Sequence, residues 1–394
     1  MFPGDVYNSR RFSLYDSFLF NFYRERFSYF INRNVQIINL FAVDPINVHH
    51  LGNVRPITGE EVVKKLKSYF GISDDYKLLI LPNRFSAYYL ILFTTSDVGD
   101  EILTPAPVPY FIKQYADILS LGTKIIETNP VEDFDLPLRR DVEDTLTSRT
   151  KLFYFSEPAF SGSIIYPRES LERMLFISRN YQLFLVVDET LGHLVKDTQN
   201  SIFLKDISLN NERVIRINNF FRDFSLGDLT MIIFHATLSA KIELIARDLF
   251  PITPYELSLV DYFIENSAGI LRTRFEEIEQ NRAVIRNFLN GRVDVSVVYS
   301  NDVSSILLKL PVPSADTFVE WLLCEYNRDK KTVFVAPAVF FHSAEYEDEG
   351  EVLIDYRYLN PEILEEGLDI LQDALDRYLG LVAAKELNND FGKR

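Results

Sequence analysis

Two kinds of apolar run alternate along the first 250 residues of the chain. Segments such as YKLLILPN (76–83), KLFYFSEP (151–158) and LFLVVDET (183–190) are short and almost continuously apolar, the pattern of strands buried on both faces. VGDEILTPAP (98–107), TKIIETN (123–129), RVIRINNFF (213–221) and LTMIIFHA (229–236) read as further strands. Between them lie stretches with apolar positions three and four apart, which predict helices at TGEEVVKKLKSYFGI (58–72), FSAYYLILFTTS (85–96), DVEDTLTSRT (141–150) and PRESLERMLFISRNYQ (167–182). Thr58 followed by Glu61 is a capping-box pattern, and Pro167 suits a helix start. Strands and helices joined by short connections imply an α/β domain, its mainly parallel sheet covered by helices on both faces.

After residue 250 the pattern changes. A long helical stretch (253–291) leads to a strand pair in VSVVYSNDVSSILLKLPV, a helix in SADTFVEWLLCEYNR, short strands in TVFVAP and EVLIDYRY, and a closing helix from Pro361. The expected division is an aromatic N-terminal arm (1–45), a large domain (46–255), and an interdomain helix with a small α+β domain (256–394).

Composition narrows the function. A formal charge of −16 disfavours nucleic acid, which needs a basic face. The single cysteine, Cys324, rules out an internal disulfide, and the five histidines have no metal-ligand spacing, so no metal is expected. No apolar stretch reaches membrane-span length and the N-terminus lacks a signal-peptide core, so the expectation is a cytoplasmic protein without a membrane partner.

The order of elements and their punctuation resemble the class I/II aminotransferases, pyridoxal-phosphate enzymes of fold type I. DVGDEILTPAPVPY resembles the family's acidic-glycine turn, strand and proline-aromatic segment. FSEPAFSGSIIYPRESLERML resembles its Asn-Pro-rich stretch and following helix, and YQLFLVVDET its strand ending in Asp-Glu. NNFFRDFSLGDLTMII lies over the Ser-Phe-Ser-Lys turn and Gly-x-Arg strand, and VFVAPAVFF and VLIDYRYLNPEILEEGLDIL over the small domain's Pro-Gly turn and arginine-bearing strand. The resemblance implies an aminotransferase-like large domain with a smaller C-terminal domain, and a dimer.

The family's chemistry depends on a lysine that bonds the cofactor and shuttles a proton. Arg222 occupies that position, and a guanidinium stays protonated and cannot act as an amine nucleophile. The phosphate-binding turn reads PNRFSAYY, so Asn83 leads into it and Arg84 and Phe85 stand where small residues are expected. Asn219 and Phe221 replace hydroxyl residues, Ser225 lies close by, and Thr230 stands in the arginine position. Phe160 matches the asparagine on the ring hydroxyl, and Leu353 the arginine that clamps a substrate carboxylate. Asp188 alone matches a principal ligand, the aspartate that pairs with the pyridine nitrogen.

Large apolar replacements (Phe85, Phe160, Phe221, Leu353) suggest a filled pocket with Arg222 paired to a vestigial Asp188. On that reading no cofactor is expected, the catalytic residues are lost, and the chain is a pseudo-enzyme. It would serve as partner or scaffold in a biosynthetic pathway, as a homodimer or beside an intact aminotransferase. Two alternatives stay open: Arg84, Arg222 and Asp188 lining a site for another anionic ligand, in an enzyme or a sensor, and pyridoxal or pyridoxamine phosphate held without a covalent bond.

Overall fold

A computed structural model describes residues 23, 35–41, 57–129, 134–159, 165–192, 211–219, 228–300 and 305–391. In chain order these form β1 (Gln36–Asn39), α1 (Gly59–Phe70), β2 (Tyr76–Leu81), α2 (Arg84–Thr95), β3 (Glu101–Pro105), α3 (Tyr110–Ile118) and β4 (Gly122–Ile126). Next come α4 (Arg139–Thr145), β5 (Thr150–Ser156), α5 (Arg168–Tyr181), β6 (Phe184–Asp188), β7 (Val214–Asn218), β8 (Thr230–His235) and α6 (Ser239–Leu249). The long α7 (Pro254–Gly291) leads to β9 (Ser296–Ser300), β10 (Ser305–Lys309), α8 (Ala315–Cys324), β11 (Lys331–Phe334), β12 (Ala336–Pro337), β13 (Glu351–Asp355) and α9 (Pro361–Phe391). The chain divides into two compact units, one holding residues 44–275 and the other residues 16–43 with 276–394.

In the first unit the strands form one sheet in the order β2-β8-β7-β6-β5-β3-β4. From β7 to β4 neighbours run parallel, whereas β8 is antiparallel to both β2 and β7. On one face Tyr154, Val186, Ile215 and Ile232 meet Tyr88 and Ile91 of α2, Phe111 and Tyr115 of α3, and Ile242 of α6. On the other, Leu78, Ile80, Met231 and Ile233 meet Val62 and Leu66 of α1 and Val260 and Phe263 of α7. Both faces are covered, which explains why the strands lack alternation. The expected capping box is present: Thr58 Oγ1 accepts from Glu61 N at 3.3 Å, and Glu61 Oε2 accepts from Thr58 N at 3.1 Å. Helices α3 and α6 were not among the expected elements.

In the second unit β9, β10, β13 and β12 form an antiparallel sheet. Strand β1 pairs in parallel with β11, so residues 36–39 of the expected arm belong to this unit's fold. No helix among the described residues is long and apolar enough to cross a membrane. None of their His, Cys, Asp or Glu side chains cluster in threes that could hold a metal ion.

One turn in this unit tolerates only glycine. Gly350 sits at φ +82°, and a Cβ there would lie 2.4 Å from the Val312 carbonyl oxygen and 2.9 Å from that of Leu310. Both obstacles are backbone, so neither can swing aside. Gly350→Ala should therefore cost at least about 2 kcal/mol, combining left-handed strain with a steric shift. Urea unfolding measures it, and an unchanged midpoint would contradict the geometry.

Candidate functional site

In open α/β sheets ligands bind outside the carboxyl ends of the strands. Asp188 ends β6 there, level with Ser156 at the end of β5 and Ile217 in β7. Its carboxylate is buried and well supplied with donors. Tyr88, on the second turn of α2, donates to Oδ2 at 2.5 Å, and Tyr154 of β5 lies 3.3 Å from the same oxygen. The backbone N–H of Thr190 donates to Oδ1 at 2.9 Å. The two phenol oxygens are 3.3 Å apart, and that of Tyr154 lies 3.2 Å from Ser156 Oγ. Burial first, and the neighbouring Asp188 charge next, hold both phenols well above the usual tyrosine range, so both remain neutral hydroxyls.

A second polar centre lies at the start of α2. Asn83 caps the helix, its Oδ1 accepting from Ser86 N at 2.8 Å. The first helical N–H, that of Arg84, donates to Asp228 Oδ2 at 3.0 Å. Asn219 Nδ2 donates to the other oxygen, Asp228 Oδ1, at 2.8 Å and to Thr230 Oγ1 at 3.0 Å. The register dictates this meeting: Leu81 at the end of β2 pairs with Thr230 at the start of β8, so residues just beyond each strand lie side by side. Asn219 also ties this centre to the first, its N–H donating to Thr190 Oγ1 at 3.0 Å.

The Arg84 guanidinium lies over the Phe111 ring, 4.2 Å from its centroid. Burial opposes its charge, but Tyr115, Asp228 and the nearby phenols outweigh that penalty and hold its pKa above the ordinary arginine value. Two buried atoms here have no hydrogen-bond partner, Arg84 Nε and Asn219 Oδ1.

The opposite side of the strand ends carries a buried ion pair. Arg216 Nε and Nη2 donate to the two oxygens of Glu189 at 2.8 and 2.7 Å. Beside it Glu157, 2% exposed, leaves Oε2 without a partner. Burial above all, with the charges of Glu189 and Asp135 adding and a bond from the Tyr166 backbone opposing, pushes its pKa well above the usual carboxylate range.

The structure thus links Asp188, Asn83, Arg84 and Thr230 through hydrogen-bonded neighbours. Arg222, Phe160, Phe221 and Ser225 lie outside the described residues, and so does the expected ion pair of Arg222 with Asp188. The donors to Asp188 among the described residues are Tyr88, Tyr154 and Thr190. The Phe85 ring packs on Tyr115 of α3 and on Tyr89. Leu353 is buried in β13 between Leu307 and Ala336.

Sequence reading missed Tyr88, Tyr154, Asp228, Glu157 and the Arg216–Glu189 pair. One signal was available for Asp228. It lies two residues before Thr230, where the resembling Gly-x-Arg strand has glycine.

No family model matches the chain. It is 27% identical over 190 residues to a protein of Methanocaldococcus jannaschii named probable aspartate aminotransferase, covering 47% of this chain and 48% of that one. It is 29% identical over 144 residues to an aspartate aminotransferase of Thermotoga maritima, covering 36% of each. These matches therefore span half the relatives' length or less. Solved structures similar over 94% of the chain include a Thermus thermophilus aspartate aminotransferase double mutant (TM-score 0.76, 17% identity) and the Thermotoga maritima aspartate aminotransferase (TM-score 0.75, 21% identity). Each of those two chains is covered completely.

The fold is the fold type I architecture of the aminotransferases.

These relatives overturn the expectation that no cofactor is used, because aminotransferases depend on pyridoxal phosphate. The residues present fit one end of that group. Asp188 suits the ring: its Oδ1 takes one N–H, from Thr190, and a carboxylate oxygen can accept a second donor. The phosphate end does not fit, since the first amide of α2 is already engaged by the Asp228 carboxylate and Thr230 offers a hydroxyl in place of a cation.

The aminotransferase-fold site generates two expectations. Tyr88→Phe should cost about 1.5–3 kcal/mol, the range for a hydrogen bond to a charged group, measured by denaturant unfolding. A loss below about 0.5 kcal/mol would count against the Tyr88–Asp188 bond. Glu157 binds its proton more tightly folded than unfolded, so its contribution is full at low pH and falls as pH rises from about 4.5 towards the folded pKa. Each pH unit in that window costs about 1.4 kcal/mol. Glu157→Gln should therefore be increasingly more stable than wild type as pH rises, and a gap in Tm independent of pH would exclude a titrating Glu157.

Proposed function

We propose that this chain is an aminotransferase-like protein that has given up ordinary transamination and works as a partner subunit or scaffold. It would form a homodimer, or a heterodimer with an intact aminotransferase, and take pyridoxal or pyridoxamine phosphate without a covalent bond. The observation that carries the reading is Asp228 on the first amide of α2, filling from within the seat that a phosphate would need. Three departures in sequence support it: Arg222 at the lysine position, Thr230 at the arginine position and Leu353 at the carboxylate clamp.

When bound, the cofactor supplies an electron sink for carbon acids. This chain's own contribution would be to orient the ring through Asp188, itself fixed by Tyr88, Tyr154 and the Thr190 amide. Proton transfer at the substrate carbon would lack a base at residue 222, because arginine does not release its proton. The relatives bear the names of active enzymes, so the proposal rests on the residues at which this chain differs from the resembling motifs.

The test is to incubate purified protein with pyridoxal phosphate, treat it with borohydride and weigh the intact chain. No stoichiometric adduct at a single lysine and no turnover with common amino donors are expected, and Arg222→Lys alone should not restore measurable turnover. A stoichiometric adduct at one lysine of the wild-type chain, or turnover in that single variant, would overturn the reading. A clean monomer in light scattering at micromolar concentration would count against the subunit role.

A further inference from the structure

We infer that Asp228 is a built-in counter-anion occupying the anion seat at the N-terminus of α2, and that phosphate-bearing ligands bind there only by displacing its carboxylate. The inference rests on the fold and on this contact, not on the partner-subunit role.

A helix start offers unbonded amide donors and the positive end of the helix dipole, so it attracts an anion. Here α2 is twelve residues long and its first amide bonds Asp228 Oδ2, while Asn219 Nδ2 bonds Oδ1. A carboxylate has two oxygens, and both are engaged. The seat has more to offer than two oxygens can use. Arg84 Nε is a buried donor with no partner, and Asn219, 1% exposed, holds an unpartnered Oδ1. A tetrahedral phosphate supplies further oxygens for the guanidinium, and the hydroxyl of its monoanion could bond the amide oxygen. The carboxylate is thus an incomplete substitute that matches the seat in charge and falls short in coordination.

Electrostatics sets the consequence. An incoming phosphate meets a negative group at its own position, and like charges brought together without compensation cost several kcal/mol. Removing the Asp228 charge while keeping its shape should therefore tighten phosphate binding. Asp228→Asn suits this, because its amide oxygen can still accept from Arg84 N and the Asn219 amide can turn over to present its unpartnered Oδ1. Asp228→Gly goes further and clears the seat.

The experiment is calorimetric titration of the full chain with inorganic phosphate, comparing wild type, Asp228→Asn, Asp228→Gly and the exposed-site control Asp74→Asn. Both Asp228 variants should bind at least about tenfold more tightly than wild type, with Asp74→Asn unchanged. Thermal unfolding with and without phosphate gives an independent reading: ligand should raise Tm in the Asp228 variants more than in wild type. Equal affinity in all four proteins, no binding by the folded Asp228→Asn variant, or equal tightening by Asp74→Asn would each overturn the inference. Inorganic phosphate has no aldehyde, so this result is separate from any covalent capture of pyridoxal phosphate.

Discussion

The Asp188 carboxylate holds one helix and two strands in a single arrangement. Tyr88 comes to it from α2, Tyr154 from β5, and its own strand turns back so that the Thr190 amide reaches it. The main chain joins in, as Glu157 N–H donates to the Asp188 carbonyl at 2.8 Å and fixes the end of β5. A buried carboxylate is costly unless its lone pairs are met, and here the donors that meet it also set the height of α2 above the sheet. Since α2 carries Arg84 at its start and Tyr88 one turn later, fixing one end of that helix places the other.

Polar satisfaction around these strand ends is uneven. The Arg216–Glu189 pair is complete and bidentate, which offsets the desolvation of two charges in a buried setting. Glu157, Asn219 and Arg84 each keep a buried atom unmet within the same small region. Native interiors hold few such atoms. The complete ion pair thus stands beside one unmet group, the Glu157 Oε2 atom, while Arg84 and Asn219 hold theirs at the start of α2.

Much of the fold was legible in the chain because its signals are local. The apolar runs at 76–81, 150–156 and 184–188 are strands, and Thr58 with Glu61 caps α1 as expected. The place of β8 was not legible: TMIIFH is buried almost throughout, and such a run carries no mark of its direction. The same limit hid the site. Tyr88 sits within an apolar helix and reads as a core aromatic, while Asp228 reads as a turn carboxylate. Their roles depend on pairings across 100 residues for Tyr88 with Asp188 and 144 for Arg84 with Asp228. Asp188 was singled out by the resemblance of YQLFLVVDET to the family's strand ending in Asp-Glu, since an acidic residue at the end of a buried strand carries no such meaning alone.

The register of β2 against β8 has a genetic consequence. Because Leu81 faces Thr230 across an antiparallel pair, whatever residue stands at 228 has its Cα beside the start of α2. Aspartate and glycine codons differ at one nucleotide, so a filled seat and an open one are a single base change apart. No rearrangement of the sheet separates them. A lineage carrying this fold could close the seat and reopen it repeatedly while the rest of the molecule stayed as it is.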